Sequence, residues 1–234
     1  MSNLKSQNSK VIVALDYATQ SEVLSLLQQL TPDLCRVKVG KELFTATGPA
    51  LIEQIHKLGF DVFLDLKFHD IPNTVAKACR AAANLGVWMM NVHALGGKNM
   101  MLAAKEAIDK SSNQPLLIGV TILTSMGEQD IHEIGLQGSP HENVLNLMQL
   151  VNDSGLDGVV CSAQEVASLK ETIDSNFLFV TPGIRMPDDN IQDQKRIMSP
   201  DKAIQQGADY LVIGRPVTQA EDPVGKLKII NNLI

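Results

Sequence analysis

The strongest constraint on the fold is a pattern that occurs eight times along the chain. A short, largely apolar run is followed by a longer stretch with helical apolar spacing. The runs cover residues 11–15, 36–40, 61–67, 87–93, 116–121, 158–161, 177–180 and 210–213. Their length and, in most of them, the lack of apolar/polar alternation fit strands buried on both faces. The helical stretches cover 20–30, 51–58, 72–85, 98–110, 142–154, 163–175, 200–206 and 222–232, and Gly59, Gly86 and Gly155 stop three of them. Strands alternating with helices imply a parallel sheet covered on its faces. Eight units in 234 residues predict an α/β fold of the (β/α)8 TIM-barrel type, as one domain over 1–234. The competitor is an open, doubly wound sheet. No G-x-G-x-x-G follows the first run, which argues against it.

Composition removes several classes of function. A net charge of −6 argues against a nucleic-acid surface and against an anionic-membrane binder. Aromatic residues make up only 4%, too few for a stacking platform for single-stranded nucleic acid. No apolar run approaches the ~20 residues of a membrane span, and Met1 to Lys10 lacks the apolar core of a signal segment. Cys35, Cys79 and Cys161 have no metal-ligand spacing and are odd in number, so they read as reduced core residues of a cytoplasmic protein.

In such barrels the chemistry sits at the C-terminal strand ends, and there the polar residues of this chain collect. The first run ends at Asp16 and the second carries Lys38. The third carries Asp65 and Lys67, with Asp70 just beyond and Pro72 opening the next helix. Asp65 and Lys67 are two apart and face one side of a strand; Leu66 and Phe68 face the other. Two carboxylates and an ammonium are thus expected within a few ångströms. A strand-end salt bridge is the bland reading of Asp-x-Lys. Charge placed on a buried strand is costly unless paired, and a packed cluster perturbs every pKa within it, a common mark of active sites.

Further along, the fourth run ends at His93, and the fifth leads to Thr121, Thr124 and Ser125. His93 reads equally as a hydrogen-bonded structural histidine, and Thr121 as a loop cap. Arg36 alternates with Val37 and is expected to face the helices. Glu53, Glu106 and Glu171 read as solvated helix faces. The opposite strand ends show no comparable cluster. After the seventh run come Thr181-Pro182-Gly183-Ile184-Arg185, and after the eighth Gly214-Arg215-Pro216. A glycine and arginines after these two strands match the phosphate site of barrels, where backbone N–H groups and a forked guanidinium meet the anion. Residues 182–199 are polar, hold two prolines and include Gln194. A structureless stretch of this length reads as an active-site lid.

The segments Ala14-Leu15-Asp16, Val37-Lys38-Val39-Gly40, Asp65 to Val75, Leu123-Thr124-Ser125, Thr181 to Arg185, Gln194 and Ile213 to Pro216 together resemble the orotidine 5′-phosphate decarboxylase family, of the bacterial type. The likeness spans essentially the whole chain. The Asp-x-Lys-x-x-Asp run with Ile71-Pro72-Asn73-Thr74 is its most specific part. The resemblance implies decarboxylation of orotidine 5′-monophosphate to UMP, the last step of de novo pyrimidine synthesis, with no metal and no cofactor. It also implies a cytoplasmic homodimer with shared sites. By that resemblance Lys38, Asp65, Lys67 and Asp70 form a charged tetrad. Asp70 comes from the partner, and Lys67 delivers the proton to C6. Asp16 and Lys38 bind the ribose with the partner's Thr74. Thr124 and Ser125 lie beside the pyrimidine. Pro182, Arg185, Gln194, Gly214 and Arg215 complete the substrate-binding set, mostly at the phosphate end.

Two rivals remain open from the sequence. A metal-dependent sugar-phosphate decarboxylase or aldolase of the same superfamily also carries Asp-x-Lys-x-x-Asp, but holds magnesium with a carboxylate near the second strand end. This chain has Lys38 there, which repels a divalent cation. A non-catalytic nucleotide-binding barrel is the other, and it has no use for a lysine aimed at C6.

Overall fold

The computed structural model describes residues 9–173, 176–186 and 197–234. Eight strands close into a barrel: β1 (Val11–Ala14), β2 (Arg36–Gly40), β3 (Val62–Phe68), β4 (Met89–His93), β5 (Leu116–Val120), β6 (Gly158–Val160), β7 (Leu178–Thr181) and β8 (Tyr210–Ile213). Each pairs in parallel with its neighbours in chain order, and β8 returns to β1 through Val11–Leu211, Ile12–Val212 and Val13–Ile213. Helices follow the strands and cover the barrel, as the eightfold alternation predicts.

The period of two along each strand sorts the side chains. Val11, Val13, Val37, Val39, Val62 and Leu64 face outward and pack with the helices in the large core. Ile12, Ala14, Phe63, Met89, Ile118, Val180 and Val212 face inward and fill the barrel. The register places Ala14 beside Lys38, and Lys38 beside Phe63. Lys38 is therefore an inward residue, and Asp65, two after Phe63, begins on the same side.

The same rule corrects the reading of Arg36. It pairs with Ile12, an inward position, and is two residues before Lys38, so it points into the barrel rather than at the helices. Its guanidinium lies 4.3 Å from the Trp88 ring and 5.4 Å from that of Tyr210. Its Nε is 3.3 Å from Asp61 Oδ2, and Nη1 donates to the Ser9 carbonyl. This group closes the N-terminal end of the barrel. That end is thus more polar than the sequence suggests. Asp157 and Asp209 also accept the N–H groups of Leu117 and Phe179, at 2.7 and 2.8 Å.

The helices begin where chemistry supports a start. Thr19 and Ser139 each form a capping box with the glutamate three residues on. Pro49, Pro72, Pro140, Pro200 and Pro223 occupy first turns, where a missing N–H costs nothing. Gly59, Gly86 and Gly155 follow helix ends with φ of 88°, 78° and 71°, a left-handed turn that glycine adopts freely. Three short helices lacked a sequence signal: Lys41–Thr47, Glu128–Glu133 and Arg215–Thr218. The helix expected over 163–175 is confined to Val166–Lys170, because Thr172 N–H turns back to Leu169 O in a tighter turn; residues 174 and 175 lie outside the described set. All three cysteines are buried free thiols, and burial pushes Cys35 and Cys79 up to about 12. Among the described residues no helix is long and apolar enough to cross a membrane.

Candidate active site

The C-terminal mouth of the barrel holds a chain of alternating charges. Lys67 Nζ, at the end of β3, is 2.6 Å from Asp65 Oδ1. Lys38 Nζ, from β2, is 3.6 Å from Asp65 Oδ2 and 3.2 Å from Asp16 Oδ1, just past β1. Asp65 and Lys38 side chains keep only 14% and 11% of their exposure, while Asp16 keeps 66%. The chain of contacts therefore runs from solvent at Asp16 to a sheltered pair at Asp65 and Lys67.

Burial would raise the Asp65 carboxyl. The charges of Lys38 and Lys67, with hydrogen bonds from Lys67 and Asn91, outweigh it and hold Asp65 below its ordinary value. Asp65 is thus an anion clamped between two cations. An anionic substrate group brought against it would meet a like charge that cannot readily take up a proton.

Three adjoining hollows share Lys38. One of about 200 Å³ is lined by Lys67, Asp65, Ile122, Thr124, Val160 and Pro182, apolar with charge at one wall. A flat heterocycle suits it. A second contains Asp16, Gly40 and Lys41. A third runs from Asp16 to Arg185, Gly214 and Arg215. Arg185 is only 6% exposed, and its backbone is fixed where the described ends of the 182–199 segment meet: Arg185 N–H donates to Met198 O at 3.0 Å, and Ile184 and Met198 form a parallel bridge. Gly214 ends β8 and leads into the short helix Arg215–Thr218. A Cβ there would stand 3.6 Å from Asp16 Oδ2, so the anion-binding end and the Asp16 end of the cleft are neighbours.

The sequence-predicted residues thus divide. Lys38, Asp65, Lys67, Asp16, Thr124, Pro182, Arg185, Gly214 and Arg215 line one continuous cleft. Ser125 is exposed beside it. Asp70 and Thr74 do not join the cluster within one chain. The chain leaves the barrel after Phe68, and residues 69–74 are all exposed. Among the described residues Asp70 makes one hydrogen bond, accepting the Ile71 N–H at 2.6 Å. The packed Asp-Lys-Asp cluster expected from local sequence is therefore an Asp-Lys pair plus a carboxylate on the surface. Gln194 and residues 187–196 of the expected lid lie outside the described residues.

Sequence reasoning passed over Asn91. It is fully buried on β4 and donates from Nδ2 to Asp65 Oδ1 at 2.7 Å. Its signal was a lone amide in the otherwise apolar stretch Met89-Met90-Asn91-Val92. His93, left open between two roles, stacks on His69 with ring centres 5.4 Å apart. Burial pushes its imidazole down to about 4, and His69, Lys67 and Lys41 act in the same direction. It is neutral at pH 7 and adds no charge beside Lys67. Thr121 is buried and donates to Val160 O at 3.1 Å, a tie from the end of β5 to β6 rather than the loop cap expected.

With this geometry in view, comparison with known proteins is decisive. Residues 9–230 match the model of the orotidine 5′-phosphate decarboxylase / HUMPS family. The chain belongs to this family. A protein from Hydrogenovibrio crunogenus named orotidine 5′-phosphate decarboxylase is 59% identical over 222 residues, 95% of this chain and 94% of that one. One of the same name from Aliivibrio fischeri is 57% identical over 226 residues, 96% of this chain and 97% of that one. A crystal structure of orotidine 5′-phosphate decarboxylase from Lactobacillus acidophilus superposes with a TM-score of 0.86 at 38% identity, covering 95% of this chain and 97% of that one. The resemblance carried by the motifs is borne out, and so is the barrel. The family's two-part description spans both the decarboxylase and its HUMPS relatives, so the residues at the β2 and β3 ends decide which chemistry fits.

Proposed function

We propose that Lys67 protonates C6 as orotidine 5′-monophosphate loses carbon dioxide to give UMP, with no metal taking part. Family membership and the decarboxylase relatives at 54–59% identity carry the overall reaction. The roles rest on one observation: an ammonium held 2.6 Å from a sheltered carboxylate, facing an apolar hollow. Loss of carbon dioxide from C6 leaves a carbanion without a neighbouring carbonyl to accept its charge. A fixed ammonium stabilises that charge as it develops and then supplies the proton. Asp65 faces the departing carboxylate and disfavours the bound ground state. Asp16 and Lys38 take the ribose hydroxyls. Arg185, Arg215 and Gly214 hold the phosphate, whose binding energy keeps the base against the charged wall.

In this reading the active form is a homodimer, and Asp70 and Thr74 of one chain complete the site of the other. The exposure of residues 69–74, with Ile71 67% exposed, supports it, as does the fact that among the described residues Asp65 is the one carboxylate paired with Lys67. Lys38 stands where the metal-dependent relatives need a carboxylate. Among the described residues no group of three His, Cys, Asp or Glu side chains could hold a metal ion.

The test is turnover of orotidine 5′-monophosphate with and without EDTA, in the wild type and in Lys67→Ala. Turnover indifferent to EDTA and lost in a folded Lys67→Ala is the expected result. Loss on chelation, regained with magnesium, would move the chain to the sugar-phosphate relatives. Binding without turnover would make it a nucleotide sensor.

A further inference from the structure

β3 and β4 lose register at the site. Leu64 pairs with Met90, but the next partners are Phe68 and Val92. Three residues, Asp65, Leu66 and Lys67, therefore stand opposite one, Asn91. The surplus must arch out of the ladder, as in a bulge that re-aims a side chain beside an active site. Lys67 takes up the bend with φ of 51°, the one positive φ outside glycine among the described residues. A residue with a long side chain adopts this conformation only when its surroundings impose it.

Asn91 imposes it. Its Oδ1 accepts the Lys67 N–H at 2.8 Å, replacing the backbone carbonyl that the broken ladder no longer offers. Its Nδ2 donates to Asp65 Oδ1, the same oxygen that takes the Lys67 ammonium. One planar amide thus ties the Lys67 backbone to the carboxylate holding the Lys67 side chain. The amide uses a donor at one end and an acceptor at the other, and it offers both at any pH, which an aspartate of the same size does only when protonated. Leucine would leave the N–H unpaired, and an ionised aspartate would set an oxygen against Asp65.

We propose that Asn91 is a positioning residue for the reaction: it fixes the bulge that aims the Lys67 ammonium, without touching substrate. The proposal deepens the reading of Lys67 as proton donor and rests on it. Misplacing a reacting group by about 1 Å costs on the order of 100-fold in rate. Asn91→Ala should therefore lower kcat by about that factor. KM should stay within roughly threefold, because the ribose and phosphate contacts are untouched.

The experiment measures kcat and KM for orotidine 5′-monophosphate across pH in Asn91→Ala and Asn91→Asp, with thermal melting of each. Asn91→Asp keeps the shape and serves if Asn91→Ala does not fold. Its ionised form can accept from Lys67 N–H but cannot donate to Asp65; its protonated form can do both. The ratio of its kcat to that of the wild type should rise as pH falls. A role in stability alone would move the melting temperature and leave kcat per folded site, and its pH profile, unchanged. Folded variants with kcat within about threefold of the wild type and a superimposable profile would overturn the proposal. Lys67→Ala is the control. If it is inactive while both Asn91 variants are fully active, only the positioning role fails; if it remains active, the donor assignment itself fails and the reason for aiming Lys67 goes with it.

Discussion

Asp65→Asn keeps the shape of the side chain and an acceptor oxygen, and removes one charge. Lys67 and Lys38 stand 2.6 and 3.6 Å from the carboxylate. At an effective dielectric constant of about 20, each pair has a gross attraction on the order of 5 kcal/mol. Desolvation of the buried groups offsets most of it. The sign of the remainder follows from the titration: burial works against the anion, yet the lysines and hydrogen bonds hold Asp65 below its ordinary value, so the fold favours the charged form. Removing one partner from a fully buried pair costs roughly 3–5 kcal/mol. Here Lys38 keeps Asp16, and Lys67 is 27% exposed and can turn to water. A loss of about 2 kcal/mol is expected, or roughly 4–8 °C in Tm for a chain of this size. Because the folded pKa is depressed, the contribution is complete above the unfolded value of 3.8 and is lost as pH falls through the lower folded value. The Tm gap between wild type and Asp65→Asn should therefore stay level from about pH 8 to pH 5 and close below 3.8. Calorimetry across pH checks both statements. A variant as stable as the wild type at pH 7, or a gap that widens toward acid, would refute the argument.

Arg215→Ala should lower kcat/KM by about 10- to 100-fold, the worth of one charged hydrogen-bonding group at roughly 1.5–3 kcal/mol. Equal activity toward the phosphate-free nucleoside in steady-state assays would remove the phosphate-site reading. Lys67→Ala and Asp70→Ala should each be inactive alone, and should regain part of the activity when mixed under subunit exchange. In a mixed dimer one site carries both defects and the other neither, so exchange demonstrated without recovery would show that Asp70 serves its own chain.

The barrel was legible because its strands are short apolar runs between helices with a clear apolar face. Each strand boundary lies within two residues of the expected one. Helices such as Lys41–Thr47 and Glu128–Glu133 were not legible. They span two turns at most, and each buries a single residue, Leu43 or Ile131, which leaves no period to detect. Arg36 was misread although the information was present: a residue two before Lys38 shares its face. The bulge was beyond local pattern, since strict alternation already puts Asp65 and Lys67 on one side. Only the register between β3 and β4 reveals that three residues face one. Asp70 illustrates another limit. Nearness in sequence suggested a packed triad, but the turn out of the barrel separates residues that are only three apart.

The Arg36, Trp88 and Tyr210 group at the foot of the barrel has a bearing on traffic. Among the described residues, those rings and the guanidinium cross the base and Ile12, Phe63 and Met89 fill the shaft above, so the charged cleft opens at the opposite end. On the proposed reaction, nucleotide and gas leave by the doorway through which the substrate arrives. In the proposed reaction a carbon dioxide molecule freed at Lys67 would share that exit with the UMP lodged above it, so the architecture couples the two departures.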